Sequence, residues 1–253
     1  MTSLASIILC HNELEHLKPC IETVGFADET VVFVDANSPV RDEVGRIAEE
    51  GGARAVYRPF DDYASHRNAA LEAVQTEWVL FVDVDERVTP ELAAEVQAVI
   101  ANPQAVGYGI PRHNYIFGKL TRHTGWYPDY QTRLLRRRFA RYDPARPVHE
   151  VVILDGPAGY LQHAMIHYNY RDLAHFVAKQ RRYAAIDAGI LFEEGIRPRP
   201  HNFVLQPLRQ FRWRFITLEG YKDGLHGLRL SLLMAWYEWL KYRRLRALWR
   251  EKA

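Results

Sequence analysis

Cysteine is scarce in this 253-residue chain, which contains two, Cys10 and Cys20. Two cysteines are too few for a disulfide framework, and neither lies in a C-x-x-C pair or beside a base in the sequence. The basic and apolar segments of a signal peptide are also missing from the start of the chain. We therefore expect both thiols to be packed inside a cytoplasmic protein.

Long apolar runs and glycine-rich phosphate loops are missing as well. The longest apolar candidate, 230–240, contains Glu238 and is shorter than the roughly 18 to 20 residues that span a bilayer. No G-x-G-x-x-G follows a predicted strand, which argues against a dinucleotide oxidoreductase. The first predicted strand ends in Cys10-His-Asn-Glu13, and the lack of glycine there disfavours a sugar nucleotidyltransferase, which remains an alternative.

Charge is distributed unevenly along the chain. The net charge is +2, but residues 201–253 contain 11 Lys and Arg against 4 Asp and Glu, so this segment is +7 and the remainder is −5. A segregated basic block favours contact with a polyanion, either an anionic membrane leaflet or a phosphorylated acceptor. The alternative is a solvated helix face.

The first half of the chain alternates short apolar runs with segments long enough for crossover helices, which predicts a parallel sheet covered by helices. The predicted strands are 4–10, 30–34, 53–57 and 78–82, and the predicted helices are 13–24, 41–50, 63–74 and 90–100. Thr89 before Pro90 is typical of a helix N-cap. Residues 106–166 predict short strands in a loop-rich sheet. Helices are then predicted over 172–193 and 225–249, separated by a break that contains Gly195, Pro198 and Pro200.

The run from Trp78 to Glu86 is an apolar strand that ends in the carboxylates Asp83 and Asp85. Ligands of open α/β sheets bind beyond the carboxyl ends of strands, and adjacent carboxylates repel each other unless a cation neutralises them. A divalent Mg²⁺ or Mn²⁺ that bridges a diphosphate meets both conditions. The alternative is a solvated acidic turn that caps the next helix. Because two other predicted strands end in Asn12-Glu13 and in Asp35, we expect a pocket at this edge.

Taken in order, these residues resemble the glycosyltransferase family 2 enzymes of the GT-A fold, a Rossmann-like, mostly parallel sheet flanked by helices. The similar segments are 6–13, 32–38, 66–70 and 81–86, the last in the place of the metal-binding Asp-x-Asp. Later segments, among them 126–129, 148–150 and 167–170, are similar to the branch that contains lipopolysaccharide inner-core β-glucosyltransferases. Pro39 and Val40 depart from the Thr-Asp that many members carry there.

The resemblance implies a domain organisation and a set of donor ligands. A catalytic domain would cover 1–170, with a nucleotide-sugar-binding half (1–100) and an acceptor half (101–170), followed by a helical C-terminal extension (171–253). The residues expected to bind the donor are Asn12, Glu13, Asp35, Arg67 and Asp83. Asp85 and Asp83 are the expected ligands of Mn²⁺ or Mg²⁺, which would act as a Lewis acid on the departing diphosphate.

Inversion at the anomeric carbon, which the resemblance implies, requires a carboxylate that takes the proton of the attacking hydroxyl. Asp129 is the expected base and Glu150 its rival, while the ring of Trp126 is placed to stack on a sugar. The alternative for Asp129 is a turn residue paired with a nearby arginine. Arg133 and Arg136 are candidates for binding phosphate or acceptor, although strand alternation sends only half of this basic stretch to one face.

Two further features leave alternatives open. His167 is either a third metal ligand or a core histidine, and the core position is favoured. The last predicted helix carries Leu228, Leu232, Ala235 and Trp239 at helical spacing, with arginines behind them. This helix either lies on an anionic leaflet, which would place the protein peripherally on the inner face of the cytoplasmic membrane, or packs on the catalytic domain.

The sequence therefore predicts an inverting transferase that moves a hexose from a UDP-sugar to a lipopolysaccharide core sugar or another cell-envelope glycan or glycolipid. The alternative is a degenerate domain of the same fold that binds nucleotide or membrane without turnover. We expect no nucleic-acid partner.

Overall fold

A computed structural model describes residues 2–143 and 151–252 of the chain. The chain forms two compact units, called here the first unit (Met1–Arg112 with Asp129–His167) and the second unit (His113–Pro128 with Tyr168–Ala253). The boundary expected at residue 170 differs from this division mainly in residues 113–128, which belong to the second unit.

The strands are β1 (Leu4–Cys10), β2 (Glu29–Asp35), β3 (Arg54–Arg58), β4 (Trp78–Asp83), β5 (Glu86–Arg87), β6 (Gly107–Ile110), β7 (Arg112–Ile116), β8 (Lys119–Thr121), β9 (Gln131–Arg136), β10 (Ala140–Tyr142), β11 (Val152–Leu154), β12 (Ala158–Tyr160) and β13 (Met165–Tyr170). The α-helices are α1 (Leu14–Thr23), α2 (Arg41–Glu50), α3 (Tyr63–Glu72), α4 (Pro90–Ala101), α5 (Leu173–Glu193), α6 (Asn202–Arg212) and α7 (Gly224–Glu251).

The first unit is built around a sheet with the strand order β12-β6-β9-β4-β1-β2-β3. Strands β4, β1, β2 and β3 run parallel, whereas β9 is antiparallel to both β4 and β6. In this register Leu9 of β1 lies opposite Phe33 of β2 and Asp83 of β4. The carboxyl ends of these three strands therefore reach the same edge, and the expected α/β class with a mostly parallel sheet is confirmed.

The central strands are buried on both faces, as in parallel sheets covered by helices. Alternate residues such as Ile8 and Val32 pack with α1, α2 and α4, while Ile7 and Phe33 pack on the other face with α3 and β10. Both cysteines are free and buried, as expected. Burial raises the pKa of the Cys10 thiol to about 12.

Helices α4 and α5 each begin directly after a residue whose side chain caps the helix. The Thr89 hydroxyl accepts a hydrogen bond from the Leu92 amide (3.2 Å), and Pro90 occupies the first turn of α4, as predicted. Asp172 caps α5 through the amide of His175 (2.8 Å). The helix α6 was missed, because the Gly195 and proline signals were extended as one break up to α7.

The second unit contains the β7–β8 hairpin and the helices α5, α6 and α7. Its core is a cluster of apolar and aromatic side chains from the hairpin, α5 and α7, with Phe176 and Leu230 fully buried. The expected C-terminal helical extension is thereby confirmed. In the part of the chain that the structure describes, no helix is both long and apolar enough to cross a membrane.

Candidate functional site

The ends of β1 and β2 meet through a histidine and a carboxylate. Nδ1 of His11 lies 2.7 Å from Oδ2 of Asp35. The other oxygen of Asp35 accepts hydrogen bonds from the amides of Asn37 (2.9 Å) and Phe60 (3.0 Å). Burial raises the pKa of Asp35, but these amide donors and His11 outweigh burial and hold the pKa below its ordinary value. Asp35 is therefore an ionised, fixed acceptor at the sheet edge.

The turn after β1 is organised by Glu13. Its Oε2 accepts hydrogen bonds from the amides of His11 (3.1 Å) and Asn12 (3.0 Å). Because this turn begins where Cys10 pairs with Val34 of β2, it lies beside Asp35. The structure thus brings together the Asn12, Glu13 and Asp35 that the sequence assigned to one pocket.

Asp83, at the end of β4, is held by two buried arginines. Nη2 of Arg67 donates to Oδ1 of Asp83 (3.1 Å), and Nη2 of Arg133 donates to Oδ2. The guanidinium of Arg67 also lies 5.0 Å from the ring centroid of Phe81. Burial alone would raise the pKa of Asp83, but the charges of Arg133, Arg67 and Arg112 bring it well below its ordinary range. A cation at Asp83 would compete with these two arginines.

Asp85 has a different neighbour. Oδ2 of Asp85 lies 3.5 Å from Nε2 of His167, a buried side chain on β13. Strand β5 pairs with β13, and this pairing sets His167 opposite Glu86. The pairing therefore brings His167 close to Asp85, the residue before Glu86. His167 is therefore buried, as favoured, and at the same time lies beside the expected metal ligand.

Divalent cations are held by several oxygen or nitrogen ligands at once. Within residues 2–143 and 151–252, no group of three or more His, Cys, Asp or Glu side chains is arranged to hold a metal. The carboxylate of Asp85 and the imidazole of His167 are both suitable ligands for Mn²⁺, and the carboxylate suits Mg²⁺. Among the described residues, Asp85 and His167 therefore offer two ligands, and a bound diphosphate and water would have to complete the coordination sphere.

A fully buried carboxylate connects Asp83 to Asp129. Oε2 of Glu86 accepts from the amide of Asp83 (2.9 Å), and Oε1 accepts from Nη1 of Arg112 (3.1 Å) and Nη2 of Arg133 (3.3 Å). Nη2 and Nε of Arg112 donate to Oδ2 of Asp129 at 2.6 Å and 3.0 Å. Asp129 is thus fixed by an arginine, and Asp83, Glu86 and Asp129 are matched in charge by Arg67, Arg112 and Arg133.

Arg136, Trp126 and Glu150 are the expected site residues whose positions have not yet been described. Arg136 lies opposite Trp78 at the start of β4 and pairs with Glu77 (2.9 Å). At about 3.3 Å per residue, this is roughly 16 Å from Asp83, so Arg136 does not reach Asp83, and its role in binding phosphate or acceptor stays a prediction. Trp126 belongs to the second unit, where its ring contacts Tyr170. Glu150 lies outside the described residues.

Sequence reasoning gave no role to His11, Glu86 or Arg112. His11 and Glu86 lie inside the segments 6–13 and 81–86, which resemble family motifs. Their position in these segments could have indicated a role in the site. Arg112 carries no such signal, because its partners are 26 and 17 residues away along the chain.

The chain is similar to several known proteins. It is 27% identical over 249 residues to the lipopolysaccharide core biosynthesis glycosyltransferase LpsC of Rhizobium meliloti (strain 1021), with 94% of this chain and 89% of that protein covered. It is 23% identical over 256 residues to an uncharacterized glycosyltransferase of Rickettsia bellii (strain RML369-C), with 97% and 86% covered. Among solved structures, TarS 1-349 of S. aureus in complex with UDP aligns with a TM-score of 0.49 and 14% identity, covering 100% of this chain and 92% of that one.

Residues 6–166 match the family described as glycosyl transferase family 2. The matched segment contains both expected metal ligands, Asp83 and Asp85, together with Asp35, Arg112 and Asp129. This match extends over more than half of the chain. The protein belongs to glycosyl transferase family 2.

Proposed function

We propose that this protein transfers a hexose from a UDP-sugar to a lipopolysaccharide core sugar or a related cell-envelope glycan, with inversion at the anomeric carbon. The observation that carries the proposal is the convergence of Asp35, Asp83 and Asp85 at one sheet edge. The similarity to LpsC, a lipopolysaccharide core biosynthesis glycosyltransferase, supports the acceptor class. We propose that the reaction takes place in the cytoplasm, at the inner face of the cytoplasmic membrane.

The donor would lie across the ends of β1, β2 and β4. Asp35 is an ionised acceptor fixed by backbone amides and by His11, which suits it to receive hydrogen bonds from a ribose hydroxyl or a base N–H. Asn12 and Glu13 would line the same end of the pocket. Arg67 and Arg133 fix the orientation of Asp83, so that the carboxylate faces the donor in one geometry.

Charge balance favours metal dependence. The three arginines of this cluster are already matched by Asp83, Glu86 and Asp129, so the cluster has no surplus positive charge for a diphosphate. Asp85 and His167 would hold Mn²⁺ or Mg²⁺, which supplies Lewis-acid stabilisation of the leaving diphosphate when bound. Asp83 would then serve the donor sugar or ribose rather than the metal.

Asp129 is the proposed base. As the acceptor hydroxyl attacks the anomeric carbon and the bond to the diphosphate breaks, its proton would pass to a carboxylate oxygen of Asp129. Arg112 and Gln131 hold this carboxylate through three hydrogen bonds, which limits its motion. Glu150, outside the described residues, stays the rival candidate for the base.

A turnover assay tests the proposal. Purified protein would be incubated with Mn²⁺, a panel of UDP-hexoses and truncated lipopolysaccharide core acceptors, and acceptor-dependent UDP release would be measured. We expect UDP release with one of the donors. NMR of the product should show that the new linkage has the anomeric configuration opposite to that of the donor. Asp129→Asn should abolish release while UDP binding persists, whereas Asp42→Asn, on the exposed surface of α2, should act like wild type. UDP binding without release for any acceptor would favour the degenerate-domain alternative.

A further inference from the structure

Helix α6 exposes the apolar side chains that a surface helix normally turns towards the core. Val204, Leu205 and Leu208 are 66%, 50% and 59% exposed, and their spacing places them on one face of the helix. The helical turn after α6 continues this character, with Trp213 and Ile216 46% and 54% exposed.

Helix α7 turns a different face to the core than the one expected from the sequence. Leu230, Met234 and Tyr237 form part of the core of the second unit. Of the residues predicted to face either a membrane or the catalytic domain, Leu232 is exposed, while Trp239 packs against this core and lines a groove. The basic end of α7 therefore has to be considered together with α6.

A groove of about 670 Å³ runs along the basic end of α7, with Phe203 of α6 in its wall. Its charged lining consists of arginines and one acidic residue: Arg243, Arg244, Arg246, Arg250 and Glu251. The guanidinium of Arg246 lies 5.6 Å from the ring centroid of Phe203, so the arginines begin where the apolar face of α6 begins. We call the apolar residues Val204, Leu205 and Leu208 together with these four arginines the docking surface.

We propose that the docking surface binds an anionic lipid bilayer. The exposed α6 side chains would enter the boundary between headgroups and acyl chains, and the arginines would pair with lipid phosphates. Charge complementarity selects this occupant, because four arginines accompany one glutamate in the groove and residues 201–253 carry a net charge of +7. The inference rests on the proposed function only in that a glycolipid acceptor would lie in the same membrane.

The same surface is poorly suited to a second copy of the chain. A two-fold contact through α6 would set the same patch against itself, so the arginines of one copy would approach those of the other. Like charges at such an interface are repulsive, whereas an anionic bilayer neutralises them.

Vesicle binding tests the inference. The full chain would be sedimented with phosphatidylcholine vesicles that either contain or lack phosphatidylglycerol, at low and high salt. We expect salt-sensitive binding to the anionic vesicles alone. Arg243→Gln with Arg246→Gln should weaken binding about 30-fold, since each arginine near an anionic surface contributes a factor of about five. Leu205→Glu with Leu208→Glu should weaken it by at least about tenfold.

Matched controls distinguish vesicle binding by the docking surface from an effect of net charge or of any exposed apolar side chain. Arg46→Gln with Arg138→Gln changes the net charge equally, and Ile190→Glu replaces an apolar side chain that is 44% exposed on α5. Both should bind like wild type, and all variants should keep the wild-type affinity for UDP. Equal vesicle binding by wild type and both docking-surface variants, or no binding to anionic vesicles, would overturn the inference. Self-association that depends on Leu205 and Leu208 without vesicle binding would identify a second copy as the occupant instead.

Discussion

Replacing Asp83 with asparagine should destabilise the first unit in a way that depends on pH. The change removes the charge that pairs with Arg67 and Arg133, two arginines that are 5% and 6% exposed. Each charge-assisted hydrogen bond contributes about 1.5–3 kcal/mol, and asparagine keeps one acceptor, so we expect a loss of about 2–4 kcal/mol in the free energy of unfolding at pH 7.

The pH dependence follows from the lowered pKa of Asp83. Its stabilising contribution is complete above the ordinary aspartate pKa of about 3.9 and is lost as the pH falls below that value towards the folded-state pKa. The difference between wild type and Asp83→Asn should therefore shrink as the pH is lowered through this window. Arginine side chains stay charged throughout this pH window.

Hydrogen exchange of the β4 amides is a suitable assay, because it reports on the first unit by itself. Asp42→Asn is the control, since the Asp42 side chain is 92% exposed. A loss below about 1 kcal/mol at pH 7, the value typical of an exposed ion pair, would refute the reasoning. A difference in the free energy of unfolding that stays constant down to the lowest pH at which the wild type is folded would contradict the reasoning as well.

Three further predictions can be checked with single variants or reagents. Arg112→Lys should lower kcat by about 10–100-fold with little change in the KM for the donor, because lysine cannot hold Asp129 through the two hydrogen bonds of the guanidinium. An unchanged kcat would remove Arg112 from this positioning role. Thr89→Ala should lower the free energy of unfolding by about 1 kcal/mol, as measured by denaturant titration, whereas Thr89→Ser should be nearly neutral. Cys10, whose pKa burial raises to about 12, should react with a thiol reagent at pH 8 only as fast as the protein opens, and rapid labelling of the folded protein would contradict this.

The first half of the fold could be predicted because its strands are buried on both faces and stand out as unbroken apolar runs. Thr89, a typical N-cap residue, then marked where α4 begins. Helix α6 was missed although Val204, Leu205 and Leu208 recur at helical spacing, because Pro200 and Pro207 flank or interrupt it and favour a continued break. The unit boundary was also beyond sequence patterns, because residues 113–128 join the second unit through tertiary contacts.

In the site, Asp35, Asp83 and Asp85 were predictable because each follows a buried parallel strand. The choice between Arg133 and Arg136 was not, because the antiparallel register of β9 against β4 decides which of them reaches Asp83. Arg112 and Glu86 come into contact only in the folded chain, because they are 26 residues apart in the sequence. No local sequence pattern predicts such an ion pair.

Calorimetric titration of the protein with UDP, with and without Mn²⁺, is the most direct test of the central claim. The account predicts UDP binding that requires Mn²⁺ and that weakens by at least about tenfold in Asp85→Asn, because a metal ligand is lost. The matched Asp42→Asn variant should bind like wild type. Equal UDP affinity with and without Mn²⁺, or an Asp85→Asn variant that binds like wild type, would contradict a metal-dependent donor site at the end of β4.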